Sequence, residues 1–367
     1  MPNIALLHYW LTNMRGGENV LAEFCRLYPE ADIFTHAWNP AAVKEPFNKH
    51  RITETFIASL PGARRGCQKY LPLMPAALRR LDLSQYDLLI SSESGPVKGV
   101  TKRRGAVHIC YCHTPMRYLW DMYQEYYANA GVGGKIGMRL FRDSLRRYDL
   151  KSAEGVDHFI ANSRFVAERI KRIYNRESTV IYPPVETAFF RSGRTSDRKD
   201  YYLYVGQLIP YKRPDLALEA CLRLGRKLVL VGDGECRAAL EKRCAGNPDI
   251  VFAGRATGET LRRCYAEARA LIFPGVEDFG IVPLEAQAAG TPVIALGRGG
   301  ALETVRDGET GLFFPLPEVD SLCEAVRYFE EKEWNPELIS QHSEKFNPRR
   351  FRDEFSAFVA ARTRIPE

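Results

Sequence analysis

The sequence lacks any apolar run long enough to span a bilayer. It also begins with a short apolar stretch, Ile4–Leu7, which is typical of a strand and not of a signal peptide. The expected location is therefore the cytoplasm. The nine cysteines are an odd number without a Cys-x-x-Cys pair, which argues against a disulfide scaffold and against a structural zinc site.

Two further classes of motif are missing. The chain contains no helix-turn-helix, zinc-finger or RNA-recognition pattern, so nucleic acid is not an expected partner. No Asp-x-Asp stands at the end of a predicted strand, and no carboxylate cluster is suited to magnesium. We therefore expect no metal and no other cofactor.

What the chain does contain is the composition of a folded protein with two domains. Its 367 residues exceed one ordinary core, and 45% apolar with 26% charged residues is typical of globular proteins. The net charge of +7 is uneven, because the chain up to Pro183 has 26 Lys and Arg against 17 Asp and Glu. A basic first half without nucleic-acid motifs predicts an anionic membrane surface as a partner.

Apolar strands alternate with helical segments in both halves, which predicts parallel sheets covered on both faces. The predicted class is α/β, with two doubly wound, Rossmann-like domains that face each other across a cleft. The first domain is predicted over residues 1–183, a polar linker over 184–200 and the second domain over 201–345. Residues 346–367 are predicted to contain a final amphipathic helix.

The most informative segment joins a predicted strand to a predicted helix. Ala270–Phe273 predicts a buried strand, the residues up to Gly280 a loop, and Ile281–Ala289 a short helix. Glu277 then stands at the strand-to-helix mouth and Glu285 eight positions later on the helix. Ligands bind at such mouths in open α/β sheets. Glutamates at this spacing also occur on solvated helix faces, so spacing alone leaves both interpretations open.

A second mouth follows the predicted strand Tyr202–Val205. Its loop begins at Gly206 and carries Lys212 and Arg213 just before a helix. Cations in this position can stabilise the negative charge that develops on a leaving phosphate. A Lys-Arg pair beside a helix is otherwise usually exposed to solvent, and that alternative also stays open.

The first half has two comparable positions. Gly16 and Gly17 connect the first strand to a helix, and adjacent glycines let a backbone come close to a ligand. His113 and Arg117 follow the end of another predicted strand. A lone histidine there is more often structural, and Arg117 has Asp121 at helical spacing as a simple partner.

These segments resemble a known family. The strand, the Glu-Asp-Phe-Gly loop, the Pro-Leu-Glu-Ala helix start and the Gly-Thr-Pro-Val-Ile return strand are similar to the signature of glycosyltransferase family 4, the retaining sugar-nucleotide transferases of GT-B architecture. The resemblance covers almost the whole chain. Tyr111–Asp121 resembles a motif of the mannosyltransferase-like branch, which acts in the assembly of surface polysaccharides such as O-antigen and exopolysaccharide. The resemblance also implies that the last helix returns to the first domain.

The resemblance implies a role for each central residue. Glu285 would bind the ribose of the donor nucleotide, and Glu277 would hold hydroxyls of the donor sugar. Lys212 would neutralise the departing diphosphate, without a metal ion. His113 would face the donor sugar. The implied catalytic set is therefore His113, Lys212 and Glu277.

The implied donor-binding set is larger. It comprises Gly16, Gly17, Gly206, Gln207, Lys212, Arg213, Gly254, Arg255, Glu277, Asp278, Phe279, Gly280, Ile281 and Glu285. Arg117 and Arg164 would place the phosphate or the acceptor, although Ser163 before Arg164 could simply cap a helix. The chain departs from the family at Gln207, where the family has a second phosphate-binding arginine, and Arg213 is the alternative cation.

The reaction that the resemblance implies is transfer of a hexose to a lipid-linked saccharide, with GDP-mannose as the expected donor. In this family the diphosphate itself is thought to accept the proton of the acceptor, so the two glutamates are not expected to act as a glycosidase pair. A UDP-linked donor is the first alternative. A sugar-nucleotide epimerase or phosphorylase, or a non-catalytic nucleotide- or glycan-binding protein, would be compatible with the same fold.

A basic segment between Tyr126 and Tyr148 is predicted to bind the first domain to the inner face of the cell membrane. Gly131–Gly134 predicts a mobile hinge. Basic and apolar residues then alternate at mixed helical spacing, a pattern that suits an anionic lipid surface. The residues are Lys135, Arg139, Arg142, Arg146 and Arg147 with Ile136, Met138, Leu140, Phe141 and Leu145, and Arg64, Arg65 and Lys69 as basic neighbours. A surface helix that packs its Leu and Phe into the first domain is the alternative.

Overall fold

The structure is a computed structural model, and it describes residues 2–43 and 45–363. The chain divides into two compact units. The first comprises the residues up to Pro184 together with the segment from Phe351 onward, and the second is Val185–Arg350. Each unit is described by itself.

The first unit is built on a parallel sheet of seven strands. Its spatial order is β3-β2-β1-β4-β5-β6-β7, so the direction of winding reverses between β1 and β4. The strands are β1 Ile4–His8, β2 Asp32–Thr35, β3 Ile52–Glu54, β4 Leu88–Glu93, β5 Val107–Cys112, β6 His158–Ala161 and β7 Ser178–Val180. Successive residues of β1 enter different cores, since Leu6 packs on one side and Ala5 with Leu7 on the other. This two-sided burial is why the strand is almost wholly apolar.

Helices of the first unit connect these strands. They are α1 Gly16–Leu27, α2 Ala63–Gly66, α3 Met74–Leu78, α4 Tyr123–Asn129, α5 Val132–Glu154 and α6 Arg164–Tyr174. Short 3-10 helices lie at Phe47–Lys49, Phe56–Ser59, Cys67–Leu73 and Val97–Gly99. Ser163 caps α6 by accepting a hydrogen bond from the Val166 N–H at 3.0 Å, as the structural alternative predicted.

The second unit repeats the plan with six parallel strands. Their order is β10-β9-β8-β11-β12-β13, with the reversal between β8 and β11. The strands are β8 Tyr202–Val205, β9 Leu228–Val231, β10 Ile250–Gly254, β11 Ala270–Phe273, β12 Val293–Leu296 and β13 Gly311–Phe314. Side chains of β8 again alternate, with Tyr202 and Tyr204 in one core and Leu203 in the other.

Nine helices are assigned to the remaining described residues. They are α7 Thr187–Arg191, α8 Pro214–Leu224, α9 Arg237–Arg243, α10 Gly258–Glu267, α11 Ile281–Ala288, α12 Ala301–Thr304, α13 Val319–Glu330, α14 Pro336–Ser343 and α15 Pro348–Ala360. Two 3-10 helices lie at Pro210–Lys212 and Glu344–Phe346. From Phe351 onward α15 belongs to the first unit, where Phe355 lies 4.4 Å from Phe24 between ring centroids.

The predicted α/β class with two doubly wound parallel sheets is confirmed. Local predictions differ from the structure at three places. Gly16 and Gly17, predicted to connect the first strand to a helix, lie in the first turn of α1. The segment 184–200, predicted as a linker, contains helix α7. Gly133 and Gly134, predicted to belong to a hinge, lie inside α5, a helix held to α4 where Arg142 stacks on Tyr123.

Candidate functional site

The candidate residues of the second unit gather at the carboxyl ends of its strands, where the winding reverses. The loop after β8 carries Lys212, and the loop after β11 carries Glu277. A crevice forms at such a reversal because the helices of the two neighbouring strands lie on opposite faces of the sheet. The location therefore agrees with the position of ligand sites in doubly wound sheets.

Glycines allow these loops to lie against one another. A Cβ added at Gly275 would be 2.9 Å from the Lys212 Cα, and one added at Gly300 would be 2.3 Å from the Phe279 Cα. Both separations are shorter than real Cβ contacts, so any larger residue would push the loops apart. The Gly300 N–H also donates to the Glu277 carbonyl at 2.9 Å.

Lys212 and Glu277 form an ion pair, with 2.9 Å between Nζ and Oε1. Their side chains are 22% and 17% exposed, so the pair is partly screened from water and still accessible. The loop after β11 continues with the buried Asp278 and Phe279 and reaches Gly280, whose φ of 94° requires glycine. Helix α11 begins at the next residue, Ile281, and its first N–H groups point out of the helix end.

Glu285 lies one turn further along α11 and accepts a hydrogen bond from the Tyr265 hydroxyl at 2.7 Å. Burial raises the pKa of Glu285 to about 7, and the Tyr265 bond opposes that rise. The Glu285 carboxyl therefore changes its charge near neutral pH. The structure places this group on the same helix that Glu277 precedes.

Gln207 and Arg213 are arranged differently from one another. Gln207 is exposed, and its backbone carbonyl accepts the Tyr204 hydroxyl at 3.1 Å. Arg213 has a left-handed backbone and donates to both carboxylate oxygens of Asp215, at 2.9 to 3.1 Å, and to the Pro317 carbonyl at 3.3 Å. The guanidinium of Arg213 is thus held by an acidic partner two residues away.

Backbone hydrogen bonds connect the ends of β8, β9 and β10. The Gly206 N–H donates to the Val231 carbonyl at 3.0 Å, and the Gly232 N–H donates to the Gly254 carbonyl at 2.7 Å. Arg255 follows on the surface. The predicted Gly206 and Gly254 therefore share one edge with Lys212.

In the first unit, His113 and Gly17 come together at the carboxyl edge of the sheet. The His113 Nε2 lies 2.9 Å from the Ser92 Oγ. A Cβ added at Gly17 would lie 2.8 Å from the Tyr9 hydroxyl and 3.4 Å from the His113 Nε2. Burial and, to a smaller extent, the charge of His8 lower the pKa of His113 to about 3. His113 is therefore a neutral ring near pH 7.

A buried pair that was not predicted from the sequence lies beside these residues. His8 ends β1 and Glu18 lies in the first turn of α1, with 3.5 Å between Nε2 and Oε1. Both side chains are almost wholly buried. The only signal in the sequence was an ionisable residue at the end of an apolar strand.

The remaining residues of the Tyr111–Asp121 motif make mostly structural contacts. Trp120 donates its Nε1–H to Asp149 at 2.7 Å, and Asp121 pairs with Arg169 and Arg172 of α6. Arg117 is half-buried in the same segment, and Arg164 is exposed at the start of α6.

Two of the basic residues in α5 that were predicted to meet a membrane are half-buried and stack on aromatic rings. Arg142 stacks on the Tyr123 ring at 4.1 Å. Arg146 stacks on the Trp120 ring at 4.7 Å and donates to the Leu119 carbonyl at 2.6 Å. Aromatic faces of α4 and the preceding loop attract these guanidinium groups, so both have partners within the first unit.

Two features are absent from the described residues. Over 2–43 and 45–363, no three His, Cys, Asp or Glu side chains are grouped so that they could hold a metal ion. In the same part of the chain, no helix combines the length and the apolar character needed to cross a bilayer.

Comparison with known proteins gives matches over both units. Residues 185–346 match the family described as glycosyl transferases group 1, and residues 14–189 match glycosyltransferase family 4. A D-inositol 3-phosphate glycosyltransferase from Mycobacteroides abscessus is 30% identical over 192 residues, which are 46% of this chain and 43% of that protein. The aligned part thus spans less than half the length of this relative.

Solved structures share the fold over nearly the full chain. Anabaena HepE in complex with UDP-glucose has a TM-score of 0.72 at 17% identity, covering 98% of this chain and 99% of that one. Sucrose-phosphate synthase from Thermosynechococcus elongatus has a TM-score of 0.73 at 19% identity, with the same coverage of 98% and 99%. At these identities the likeness concerns the fold.

Proposed function

Because the chain belongs to the superfamily of group 1 and family 4 glycosyltransferases, with a GT-B fold, we propose that it is a retaining hexosyltransferase. It transfers a sugar from a nucleotide diphosphate donor to a saccharide acceptor. The observation that carries the proposal is the Lys212–Glu277 ion pair at the sheet reversal. A cation and a hydroxyl-binding carboxylate lie side by side there, in front of a helix N-terminus.

Each group has a chemical task in this proposal. The Lys212 ammonium stabilises the diphosphate as it leaves, helped by the free N–H groups at the start of α11. Glu277 accepts hydrogen bonds from hydroxyls of the donor sugar. Glu285 accepts hydrogen bonds from the ribose. Because the diphosphate takes the proton of the attacking hydroxyl, no protein side chain needs to act as general base.

The arrangement favours catalysis without a metal ion. Lys212 supplies the positive charge that a divalent cation supplies in other transferases. Activity should therefore persist in EDTA. Loss of activity on chelation, with recovery on adding magnesium or manganese, would contradict this part of the proposal.

We propose GDP-mannose as the donor, with a UDP-hexose as the alternative. The resemblance of Tyr111–Asp121 to the mannosyltransferase-like branch supports the first. The structural neighbour HepE, solved with UDP-glucose, supports the second. Slow hydrolysis of each sugar nucleotide in a panel distinguishes them, and NMR of the product anomer tests retention. Conversion of a donor in the absence of acceptor into another sugar nucleotide would favour an epimerase instead.

The exposed face of α5 supports peripheral association with a membrane that carries lipid-linked acceptors. Val132, Ile136 and Leu140 recur every four residues and are 78%, 56% and 70% exposed. Arg139 and Arg147 are exposed on the same helix. An apolar stripe with basic residues beside it suits an anionic lipid surface at the inner face of the cell membrane.

A further inference from the structure

Polar side chains line the carboxyl edge of the first sheet where its winding reverses. His8 ends β1 and is the Cα partner of Ser92 on β4. Ser92 in turn lies 2.9 Å from His113, which follows β5. His8 and His113 are thus connected across three neighbouring strands through Ser92.

His8 and Glu18 make fewer hydrogen bonds than buried polar groups usually make. Their side chains are 0% and 2% exposed, with 3.5 Å between them. Within the described part of the chain, neither ring nitrogen of His8 nor the Oε2 of Glu18 has a hydrogen-bond partner. Buried polar groups are nearly always hydrogen-bonded, and leaving them without partners costs free energy. Packing alone would be better served by apolar residues.

The pair is in contact with the surroundings of His113. The His8 ring lies 4.2 Å from the Tyr9 ring between centroids. The first turn of α1 carries Glu18 and also Gly17, which lies against the Tyr9 hydroxyl and the His113 Nε2. A shift of His8 or of this turn would therefore displace the His113 ring.

We propose that His8 and Glu18 are positioning residues for His113, holding it as a single neutral tautomer at the edge of the sheet. The inference rests on the proposed function and on the role that the family resemblance implies for His113, which is to face the donor sugar. Glu18 orients the His8 ring, and His8 acts on His113 through its packing on Tyr9 and through its register partner Ser92, which contacts His113.

The electrostatics agree with this role. His8 is the ionisable group whose charge acts on His113, and the Tyr111 ring lies 5.2 Å from the His113 ring between centroids. Glu18 of α1, Glu93 of β4 and Arg15, which precedes α1, act on the neighbouring Tyr9. Burial and the charge of His8 both lower the pKa of His113. A neutral ring with its Nε2 held by Ser92 keeps Nδ1 for one directional hydrogen bond, whereas a protonated ring could only donate.

The test is ring NMR of the full chain, labelled with ¹⁵N in histidine. In the wild type, the His113 ring nitrogens should show one neutral tautomer from about pH 5.5 to 8. In His8→Asn, their shifts should move toward an average of two tautomers or toward the protonated ring. The matched control is His36→Asn, which removes another buried histidine, bonded to Thr55, and should leave His113 unchanged.

Kinetics supply the second measurement. Glu18→Gln keeps the shape of the side chain and should lower kcat by about tenfold or more while leaving the KM for donor nearly unchanged. Glu18→Asp should recover part of the loss. Unaltered His113 signals in both His8→Asn and Glu18→Gln would overturn the proposal. Absence of transfer with every donor would instead count against the proposed function, because the ring signals need no substrate.

Discussion

Lys212 and Glu277 lie on loops that follow different strands, yet their side chains meet at 2.9 Å between Nζ and Oε1. The glycine at Gly275 makes this possible by letting the Lys212 backbone come close to the end of β11. Each charge therefore has a partner before any substrate binds. The ammonium is held in place, which lowers the cost of ordering it when a diphosphate arrives.

Lys212→Ala should lower kcat about a hundredfold at saturating donor. One charge-assisted contact to a developing oxyanion contributes roughly 3 kcal/mol to the stability of the transition state. Steady-state kinetics with circular dichroism as a control for folding measures the effect. Turnover equal to wild type would show that Lys212 is not the phosphate-binding cation.

The ion pair also predicts that the two residues are energetically coupled. Lys212→Met removes the cation paired with Glu277, so part of its effect comes from the carboxylate that has lost this charge. The double variant Lys212→Met with Glu277→Gln should then lose less activity than the product of the two single losses. A double-mutant cycle on kcat measures the coupling. Strict additivity would indicate that the pair does not act as a unit.

Nucleotide affinity should rise with pH through about 7, because burial raises the pKa of Glu285 to that value. Only the ionised carboxylate is a pure acceptor for two ribose hydroxyls. The sign for folding is the opposite. A carboxyl whose pKa is raised on folding stabilises the fold below its unfolded pKa, and this contribution is lost as the pH rises through about 7.

Two variants check this assignment by calorimetric titration with the nucleotide. Glu285→Gln should bind more weakly and show no dependence on pH in this range. Tyr265→Phe removes the hydrogen bond that lowers the Glu285 pKa, so its affinity midpoint should move to higher pH. A wild-type affinity that is constant from pH 6 to 8, roughly the window about this pKa, would exclude the ribose role.

The buried ion cluster beneath α5 should dominate the stability of the first unit. The Lys98 Nζ lies 3.0 Å from Glu93 and also pairs with Asp149, and all three side chains are buried. Lys98→Met should destabilise the chain by about 3–5 kcal/mol, because two buried carboxylates lose their cation. Because burial raises the pKa of Glu93, the loss should be smaller at low pH, where that group takes up a proton.

Urea unfolding of this variant has a natural control. Lys102 pairs with Asp157 at the surface, where the side chains are 23% and 39% exposed. Lys102→Met should therefore change stability by less than about 1 kcal/mol. Equal effects of the two substitutions would mean that the buried cluster contributes no more than a surface pair.

The sequence predicts secondary-structure elements better than it predicts which side chains contact each other. The strand before Glu277 follows from the apolar run Ala270–Phe273, and the helix after it lies between Gly280 and Gly290. Their predicted limits agree with β11 and α11 to within a residue. The Tyr265–Glu285 hydrogen bond joins residues twenty positions apart, and no local sequence pattern predicts it. Strand β3 has only three residues, and a pattern of that length cannot be separated from a loop.

Ion pairs are also difficult to predict from the sequence. Arg213 and Asp215 are two residues apart, and their pairing competes with the predicted phosphate contact. The sequence shows both residues but not the left-handed backbone at Arg213 that turns the side chain toward Asp215. His8 and Glu18 meet only because β1 and α1 are neighbours in the fold.

The exposed stripe of α5 gives the last prediction. Ile136→Glu with Leu140→Glu should abolish binding to vesicles that contain anionic lipid, because both side chains are more than half exposed and would have to enter the interface as charges. Arg139→Glu with Arg147→Glu should weaken binding mainly at low salt, since each basic residue contributes about 1 kcal/mol by attraction to anionic lipid. Co-sedimentation at two salt concentrations measures both effects.

Arg146→Glu is not a suitable probe of this surface, because Arg146 packs on Trp120 and its loss would disturb the fold. The matched control is Leu338→Glu with Tyr328→Glu, which places the same charges on exposed apolar residues of the second unit. This variant should bind vesicles like the wild type. Equal losses for the two pairs would point to a general effect of added negative charge, and undiminished binding of the α5 variant would exclude the stripe as the lipid-binding face.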